Sequence, residues 1–332
     1  MHLAEVAVGR GAPTITNFGG VALPEGAVRE GEIVDSGAVA SAIRELVGAA
    51  KLKNKKVNLG VANQRVVVRQ IDLPWMEDSE LRSSLPFQVQ EFIPIPVEDA
   101  QLDYHVLDEV EGDDGSRTLR ILLVAAHKDM LALQMEAAQA AGLKPVGVDL
   151  NPFAQLRVLG RERTFADGPE VLVDIGGGVT DIVVHDNGVP TFVRILVLGG
   201  DDITDALAAG MSTTHEEADR VKQEDPTPGD ATAARIVDEH ARQFVDEVRG
   251  SLDYYRTQVA SNASIQKVTL TGGGALLPGL ADRLGQATNL PVQIGNPFDV
   301  FSAKNTSFGE GELARVGPTL VTAVGLALGG AA

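Results

Sequence analysis

Val171-Leu-Val-Asp-Ile-Gly-Gly-Gly-Val-Thr-Asp-Ile-Val-Val184 decides how this chain is read. An apolar run ends in Asp174. Three glycines follow, then Thr180, Asp181 and a second apolar run. That order predicts strand, glycine turn, strand. Backbone without side chains at Gly176, Gly177 and Gly178 can approach an anion closely and offer its N–H groups to phosphate. Asp174 and Asp181 sit at the rim, placed to hold a hydrated cation against that anion. A nucleoside triphosphate with Mg²⁺ fits this chemistry. A tight hairpin without ligand is the plainer reading, and it leaves the two aspartates without a purpose.

Working outward, Asn187-Gly188 marks a tight hairpin turn and residues 191–196 a strand. Gly199-Gly200-Asp201 leads into a helix capped by Asp201 or Asp202. Residues 214–259 read as charged helix, split at Asp225-Pro-Thr-Pro-Gly229. A strand at 267–271 ends in Gly272-Gly-Gly274, and a helix is expected after Pro278. An apolar helix at 313–328 closes the chain. Upstream, residues 6–23 read as two strands joined at Gly9-Arg10-Gly11. Residues 38–50 read as a helix capped by Asp35 or Ser36, 57–61 and 66–73 as strands, and 81–92 as a helix capped by Ser79 and interrupted by Pro86. Strands at 102–107 and 119–126 flank an acidic turn at 111–116. A helix at 128–141 stops at Gly142, and a strand follows at 146–149. Asn151 is expected to cap the next helix, with Pro152 in its first turn. Grouped strands followed by alternating strands and helices predict a mixed α/β protein of two lobes.

The 332 residues suit two domains. A net charge of −18 disfavours bulk nucleic acid as a partner. Lys51, Lys53, Lys55 and Lys56 form the main basic cluster, read as a solvated face near a helix end rather than a phosphate or lipid patch. The absence of cysteine excludes disulfides and thiolate metal sites. The six histidines are scattered without metal-ligand spacing, and Trp75 reads as a packing residue. No signal peptide is visible at residues 1–10. The apolar C-terminus is too short for a membrane span, so a soluble cytoplasmic protein is expected.

Gly188-Val-Pro-Thr-Phe192 repeats Gly11-Ala-Pro-Thr-Ile15, with apolar strand residues ahead of both. Two lobes of one fold are expected, each built on such a hairpin. In the second lobe the glycine turn lies just upstream of its hairpin. The equivalent turn of the first lobe would fall ahead of Met1.

No Gly-x-x-x-x-Gly-Lys-Ser/Thr occurs, which excludes a P-loop, and Gly176-Gly-Gly178 lacks the third spaced glycine of a dinucleotide fingerprint. The chain resembles instead the actin-like ATPase superfamily of actin, heat-shock chaperone ATPases and sugar kinases. Asp174-Ile-Gly-Gly-Gly-Val-Thr-Asp181 is similar to its second phosphate loop. Leu270-Thr-Gly-Gly-Gly-Ala-Leu-Leu-Pro-Gly279 is similar to its adenosine motif. Within it, the chain resembles the PilM family of type IV pilus assembly proteins nearly end to end. Glu80-Leu-Arg82, Gln90-Glu-Phe-Ile-Pro-Ile-Pro96 and Leu102-Asp-Tyr104 are similar to that family's small inserted subdomain. Ala140-Ala-Gly-Leu-Lys144 with Val148-Asp149 matches the exit from it. Gly199-Gly200, Ile203-Thr204 and Glu216-Glu-Ala-Asp-Arg-Val-Lys222 match its second lobe. The related FtsA family normally ends in a membrane-binding helix, for which residues 328–332 offer no counterpart.

The resemblance implies an actin-like, ribonuclease H-like fold. Its first-lobe subdomain IA would take residues 1–74, the inserted subdomain IC 75–147, and the return to IA and the inter-lobe link 148–166. Subdomain IIA with its phosphate loop would take 167–210, the helical subdomain IIB 211–264, IIA with the adenosine motif 265–312, and a helix packing back on IA 313–332. It implies ATP or ADP with Mg²⁺ as cofactor. Asp174 would orient the waters of Mg²⁺, Gly176 to Gly178 would meet the β- and γ-phosphates, and Thr180 and Asp181 would line the cation and water side. Asp174 and Asp181 are thus the candidate catalytic pair. Gly272, Gly273 and Gly274 would pass close to the adenosine, with a plain strand-to-helix turn as the alternative. Asp219 and Lys222 would reach ribose and adenine, with a solvated helix face as the alternative. The implied partner is the cytoplasmic tail of the inner-membrane protein PilN, beside other pilus assembly proteins and self-association. That would hold the protein at the inner face of the membrane with no insertion of its own. An FtsA-like filament protein and an active ATPase or kinase of the same fold are the rivals. In the PilM family a strand and a first phosphate loop of type Asp-x-Gly-Ser/Thr precede the hairpin, and residues 1–6 look like the strand after that loop. An initiation codon upstream of Met1, with a GTG valine read here as the start, is the expectation. Without that loop, ATP binding and hydrolysis would both be reduced.

Overall fold

The computed structural model describes residues 1–9, 12–111, 115–160, 168–224, 231–259, 264–303 and 309–329. It opens with the antiparallel hairpin β1 (His2–Ala7) and β2 (Thr14–Gly20), in which Ala4 faces Phe18 and a bulge falls between Glu5 and Val6. The expected turn at Gly9-Arg10-Gly11 lies partly outside the described residues. The short strands β3 (Val28–Arg29) and β4 (Glu32–Ile33) lead to α1 (Ser36–Ala49). Asp35 caps α1 by accepting the Ala38 N–H, and Val39, Ile43, Leu46 and Val47 bury one face at helical spacing. Lys51, Lys53, Lys55 and Lys56 are exposed beyond its end. β5 (Lys56–Val61) follows.

An antiparallel three-stranded sheet comes next, built from β6 (Val66–Pro74), β7 (Ala100–Glu111) and β8 (Arg117–His127) in the order β6-β8-β7. The helix α2 (Asp78–Gln88) covers it, burying Leu81 and Leu85 against Ile71, Leu73, Ile121 and Leu123. α2 begins before the expected Leu81. Glu77, not Ser79, is its N-cap, and the Asp78 carboxylate accepts from Arg82 at 2.9 Å and from the Tyr104 hydroxyl at 2.6 Å. It ends two residues after Pro86, short of the expected 92. The expected acidic turn at 111–116 includes residues outside the described set. Trp75 lies under the Arg117 guanidinium, 4.1 Å from ring centre to Cζ.

α3 (Lys128–Ala140) stops where Gly142 takes φ +81°, which a side chain would strain. β9 (Lys144–Leu150) runs parallel to β5, and α4 (Asn151–Leu159) starts directly from its end. The second lobe holds β10 (Glu170–Ile175), β11 (Thr180–Asp186) and β12 (Val189–Leu196). Asn187 and Gly188, both at positive φ, make the tight turn between the last two. The helices α5 (Gly200–Met211), α6 (His215–Gln223) and α7 (Ala231–Tyr254) follow, with a π-helical turn at Tyr255–Val259. The proline-rich break expected between α6 and α7 lies outside the described residues. β13 (Val268–Thr271), α8 (Leu280–Thr288), β14 (Val292–Ile294), α9 (Pro297–Val300), β15 (Ser302–Ala303) and α10 (Glu310–Gly329) complete the order.

The mixed α/β plan is as expected. The second-lobe sheet runs β12-β11-β10-β13-β14, with β10 central, antiparallel to β11 and parallel to β13. Its strands are apolar on both faces and packed on both, one face against Val248 and Leu252 of α7 and Leu284 of α8. The first lobe carries β1-β2-β15 and the pair β5-β9. α1 and α3 cover one side through Val39, Ile43 and Ala137. α10 and α4 cover the other through Leu320, Val324 and Val158. Gly325 lets α10 ride directly on the backbone of Ala154 in α4, where a Cβ would collide. α10 also reaches the second lobe, since the Pro318 carbonyl accepts the Gly272 N–H at 2.9 Å.

Candidate nucleotide site

A cavity of about 1270 Å³ lies between the lobes. The end of β10 forms its floor: Asp174 and Ile175 run into Gly176 and Gly177. The start of α5 supports this glycine turn. Gly200 and Asp201 donate their N–H groups to the carbonyls of Gly176 and Gly177, both at 2.9 Å. Gly199 is needed there, because any Cβ would strike the Gly177 carbonyl. Gly199, rather than the expected Asp201 or Asp202, is the N-cap of α5. The Asp202 carboxylate accepts the Gly199 N–H at 2.7 Å. With the carbonyls of the turn turned to α5, the N–H groups of Gly177 and Gly178 have no partner among the described residues. Donors left free in a glycine turn suit an anion. Gly178 lies against the backbone of Glu30, at the tip of the β3–β4 hairpin, so the turn also touches the first lobe.

Asp174 and Asp181 are paired in register across β10 and β11. The Asp174 carboxylate accepts from Thr271 at 2.7 Å and from Thr322 of α10 at 3.5 Å. Burial pushes Asp174 up to about 6, and these hydroxyls offset part of that push. Asp181 is buried behind it, where burial and then the charge of Asp174 raise it well above the usual carboxylate range, while the Gln155 and Asn151 side chains pull the other way. Asp181 Oδ1, Gln155 Oε1 and Asn151 Oδ1 are buried without a hydrogen-bond partner. Of the three residues Asn151 lines the cavity with Asp174, and unpartnered oxygens beside two carboxylates with no basic side chain bonded to either among the described residues suit a hydrated divalent cation. Among the described residues no cluster of three or more ligating side chains exists, so Mg²⁺ here would hold water and phosphate rather than a protein cage. Thr180 is fully buried and donates to the Leu198 carbonyl at 2.7 Å.

Gly272, Gly273 and Gly274 also reach the cavity. Side chains at Gly272 or Gly274 would collide with Ile175, so these two let the turn after β13 dock on the end of β10. Gly273 faces open space. On α6, Asp219 and Lys222 line the wall and pair at 2.7 Å. Lys222 is further held by the Gly200 carbonyl at 3.1 Å and by Thr204 at 2.6 Å, which buttresses α5. Two wall residues were not singled out from the sequence: His240 and Phe244 of α7, with the His240 Nδ1 buried and unpartnered. Their i, i+4 spacing beside the buried Ala241 and Val248 is the signal that marks this face.

Asn151 departs from its expected role. Leu150 is the N-cap of α4 and no side chain caps it. Asn151 instead points beside Asp181, into room left by Gly60, where a Cβ would collide with its Oδ1.

Residues 1–331 match the family described as type IV pilus assembly protein PilM. A chain solved in a PilM-PilN type IV pilus biogenesis complex aligns with a TM-score of 0.87 and 29% identity, over 100% of this chain and 95% of that one. The ethanolamine utilization protein EutJ from Carboxydothermus hydrogenoformans shares the fold at a TM-score of 0.53 and 16% identity, over 99% of this chain and 90% of that one. The cell division protein FtsA of Neisseria meningitidis is 24% identical over 320 residues, covering 83% of this chain and 77% of that protein. FtsA of Bacillus subtilis is 34% identical over 105 residues, which span 31% of this chain and 23% of that protein.

Proposed function

Because the chain belongs to the PilM family of type IV pilus assembly proteins, we propose that it is an actin-like scaffold that binds ATP between its lobes and holds the cytoplasmic tail of PilN. The observation that carries this is the likeness along the whole chain to a protein solved in a PilM-PilN complex. Among the described residues no helix is long and apolar enough to cross a membrane. A tail of PilN would therefore be the means by which the protein is kept at the inner membrane.

The site supports ATP through four parts. The N–H groups of Gly177 and Gly178 offer donors to phosphate, and the half-buried Asp174 with the buried Asp181 behind it supplies negative charge for Mg²⁺ held through water. Gly273 leaves room for the nucleoside, and His240, Phe244 and the Asp219–Lys222 pair form the wall for ribose and base. Mg²⁺ would supply charge neutralisation between the phosphates and the two aspartates. Asn151, at the link, is the residue placed to orient water. α10 touches both lobes, so a nucleotide that changes the lobe angle would reach the first lobe through it. The test is a titration of the PilN tail with and without Mg²⁺–ATP. Specific binding to the tail is expected, with an affinity that depends on ATP. No binding under either condition would refute the scaffold reading, and equal binding under both would refute the coupling.

A further inference from the structure

The fold gathers lysine at one end of the first lobe. Five of the chain's nine lysines stand there: Lys51, Lys53, Lys55 and Lys56 where α1 turns into β5, and Lys144 at the start of β9. The first four are neighbours in sequence. Lys144 joins them because β9 runs parallel to β5 in a register that sets it opposite Lys56. All five are exposed. In a chain of net charge −18, no acidic residue occurs at 46–71 or at 137–148. Glu5, Glu45 and Glu136, on β1, α1 and α3, make no ion pair with them among the described residues.

The other described lysines are each engaged. Lys128 donates to the Glu98 carbonyl at 2.7 Å, Lys222 pairs with Asp219, and Lys267 with Glu170 at 3.3 Å. Among the described residues the five ammonium groups have no such partner. Cations favour helix C-termini, and both α1 and α3 end here. Those ends are already served by other groups. The Ala50 carbonyl accepts from Asn17 at 2.6 Å and the Ala140 carbonyl from Arg44 at 3.0 Å, while the carbonyls of 46–48 and 137–139 accept backbone N–H groups. Nor do the lysines serve the nucleotide, for none lines the cavity. β9 runs from Lys144 towards Asn151, so the cluster lies at its far end, roughly 20 Å from Leu150 at the usual rise of a strand.

We propose that this end of the first lobe docks on an anionic lipid layer. It would be a second, weaker attachment beside the tail of PilN, and only that clause rests on the scaffold reading. A lysine ammonium is a point charge on a flexible stem and suits a layer of mobile headgroups. A peptide carboxylate is gripped better by the fork of arginine, and the arginine here, Arg44, is spent on Ala140 and Ser41. Attraction adds up over clustered lysines close to an anionic surface, whereas the acidic remainder of the chain is repelled. The cluster therefore also fixes which end of the molecule faces the membrane.

The test is vesicle flotation of the whole 332-residue chain, without PilN, on phosphatidylcholine vesicles with and without phosphatidylglycerol. One variant carries Lys53→Gln, Lys55→Gln, Lys56→Gln and Lys144→Gln. A second has Lys→Arg at the same four positions. A control carries Arg82→Gln, Arg235→Gln, Arg242→Gln and Arg249→Gln, the same charge change on exposed arginines elsewhere. The parent, the Lys→Arg variant and the control should all bind the anionic vesicles at about 0.1 M salt and leave them at about 1 M, as the screening length falls from roughly 10 to 3 Å. The Lys→Gln variant should bind at least about tenfold less, with an unchanged melting midpoint and unchanged affinity for the PilN tail. Neutral vesicles should bind none of the four. A parent that ignores anionic vesicles overturns the proposal. So does an equal loss in the control, or a loss in the Lys→Arg variant as large as in Lys→Gln. Lysine-dependent binding to polyglutamate with none to vesicles would assign the surface to an acidic protein segment, and overturns it as well.

Discussion

Asp174 and Asp181 face each other across the β10–β11 ladder, a half-buried and a buried carboxylate on neighbouring strands with no basic side chain bonded to either among the described residues. Burial lifts Asp174 from 3.8 to about 6. A carboxyl whose folded value is raised adds stability below its unfolded value and loses it as pH rises through about 6. At pH 7.5 the nucleotide-free protein therefore carries a buried charge that the unfolded chain would solvate. Asp174→Asn is expected to be more stable than the parent at that pH by about 2–3 kcal/mol, the difference shrinking towards pH 4. Urea unfolding at the two pH values measures it, and an Asn variant less stable at pH 7.5 would count against a charged, unpaired Asp174.

The same aspartate makes cation–nucleotide binding pH-dependent. Mg²⁺ favours the ionised form, so binding should release protons near pH 6 and strengthen between pH 5 and 7. Calorimetry in two buffers of different ionisation heat reads the release directly. In Asp174→Asn the release should fall and the affinity should drop about tenfold or more. An unchanged proton count would assign the effect to another group.

The glycines of the two motifs separate into structural and ligand-facing positions. At Gly272 and Gly274 a methyl group meets Ile175, and Gly272 also holds φ +81°. Alanine at either should cost about 1–3 kcal/mol. Gly273 has nothing within 4 Å of an added Cβ, so alanine there should leave stability within about 0.5 kcal/mol. Its methyl would narrow the cavity and weaken ATP binding while ADP-free unfolding stays the same. Melting curves and nucleotide titrations on the three variants give the comparison, and a Gly273→Ala protein with unaltered affinity would remove that residue from the nucleotide wall.

Local spacing made much of this fold legible. Gly142 and the Asn187-Gly188 turn each declare a backbone conformation in one or two residues, and β10 and β13 declare themselves as apolar runs ended by glycine. What stayed hidden depends on residues distant in sequence. Asn151 has a cap's composition and a cap's position, yet Leu150 occupies the cap, and only Gly60 and Asp181, far away in sequence, say where its side chain goes. His240 and Phe244 sit in a charged amphipathic helix, where nothing local distinguishes a cavity wall from a core face. Asp201 read as a helix cap because acidic residues favour that place. The collision awaiting any side chain at Gly199 explains why the cap falls two residues earlier.

Asn151 offers a clean separation between two roles. Were it the cap of α4, alanine would cost about 1 kcal/mol of stability. With Leu150 as the cap, and Asn151 Oδ1 buried without a partner, Asn151→Ala should change stability by less than about 0.5 kcal/mol. Its place beside Asp181 at the inter-lobe link suits a residue that orients water for attack on a phosphate rather than one that binds the nucleotide. Affinity for ATP should then stay within about twofold while any phosphate release falls about tenfold or more. Single-turnover phosphate release, set beside a binding titration on the same preparation, distinguishes the two. A loss of affinity equal to the loss of rate would place Asn151 in binding, and a loss of stability alone would return it to the helix end.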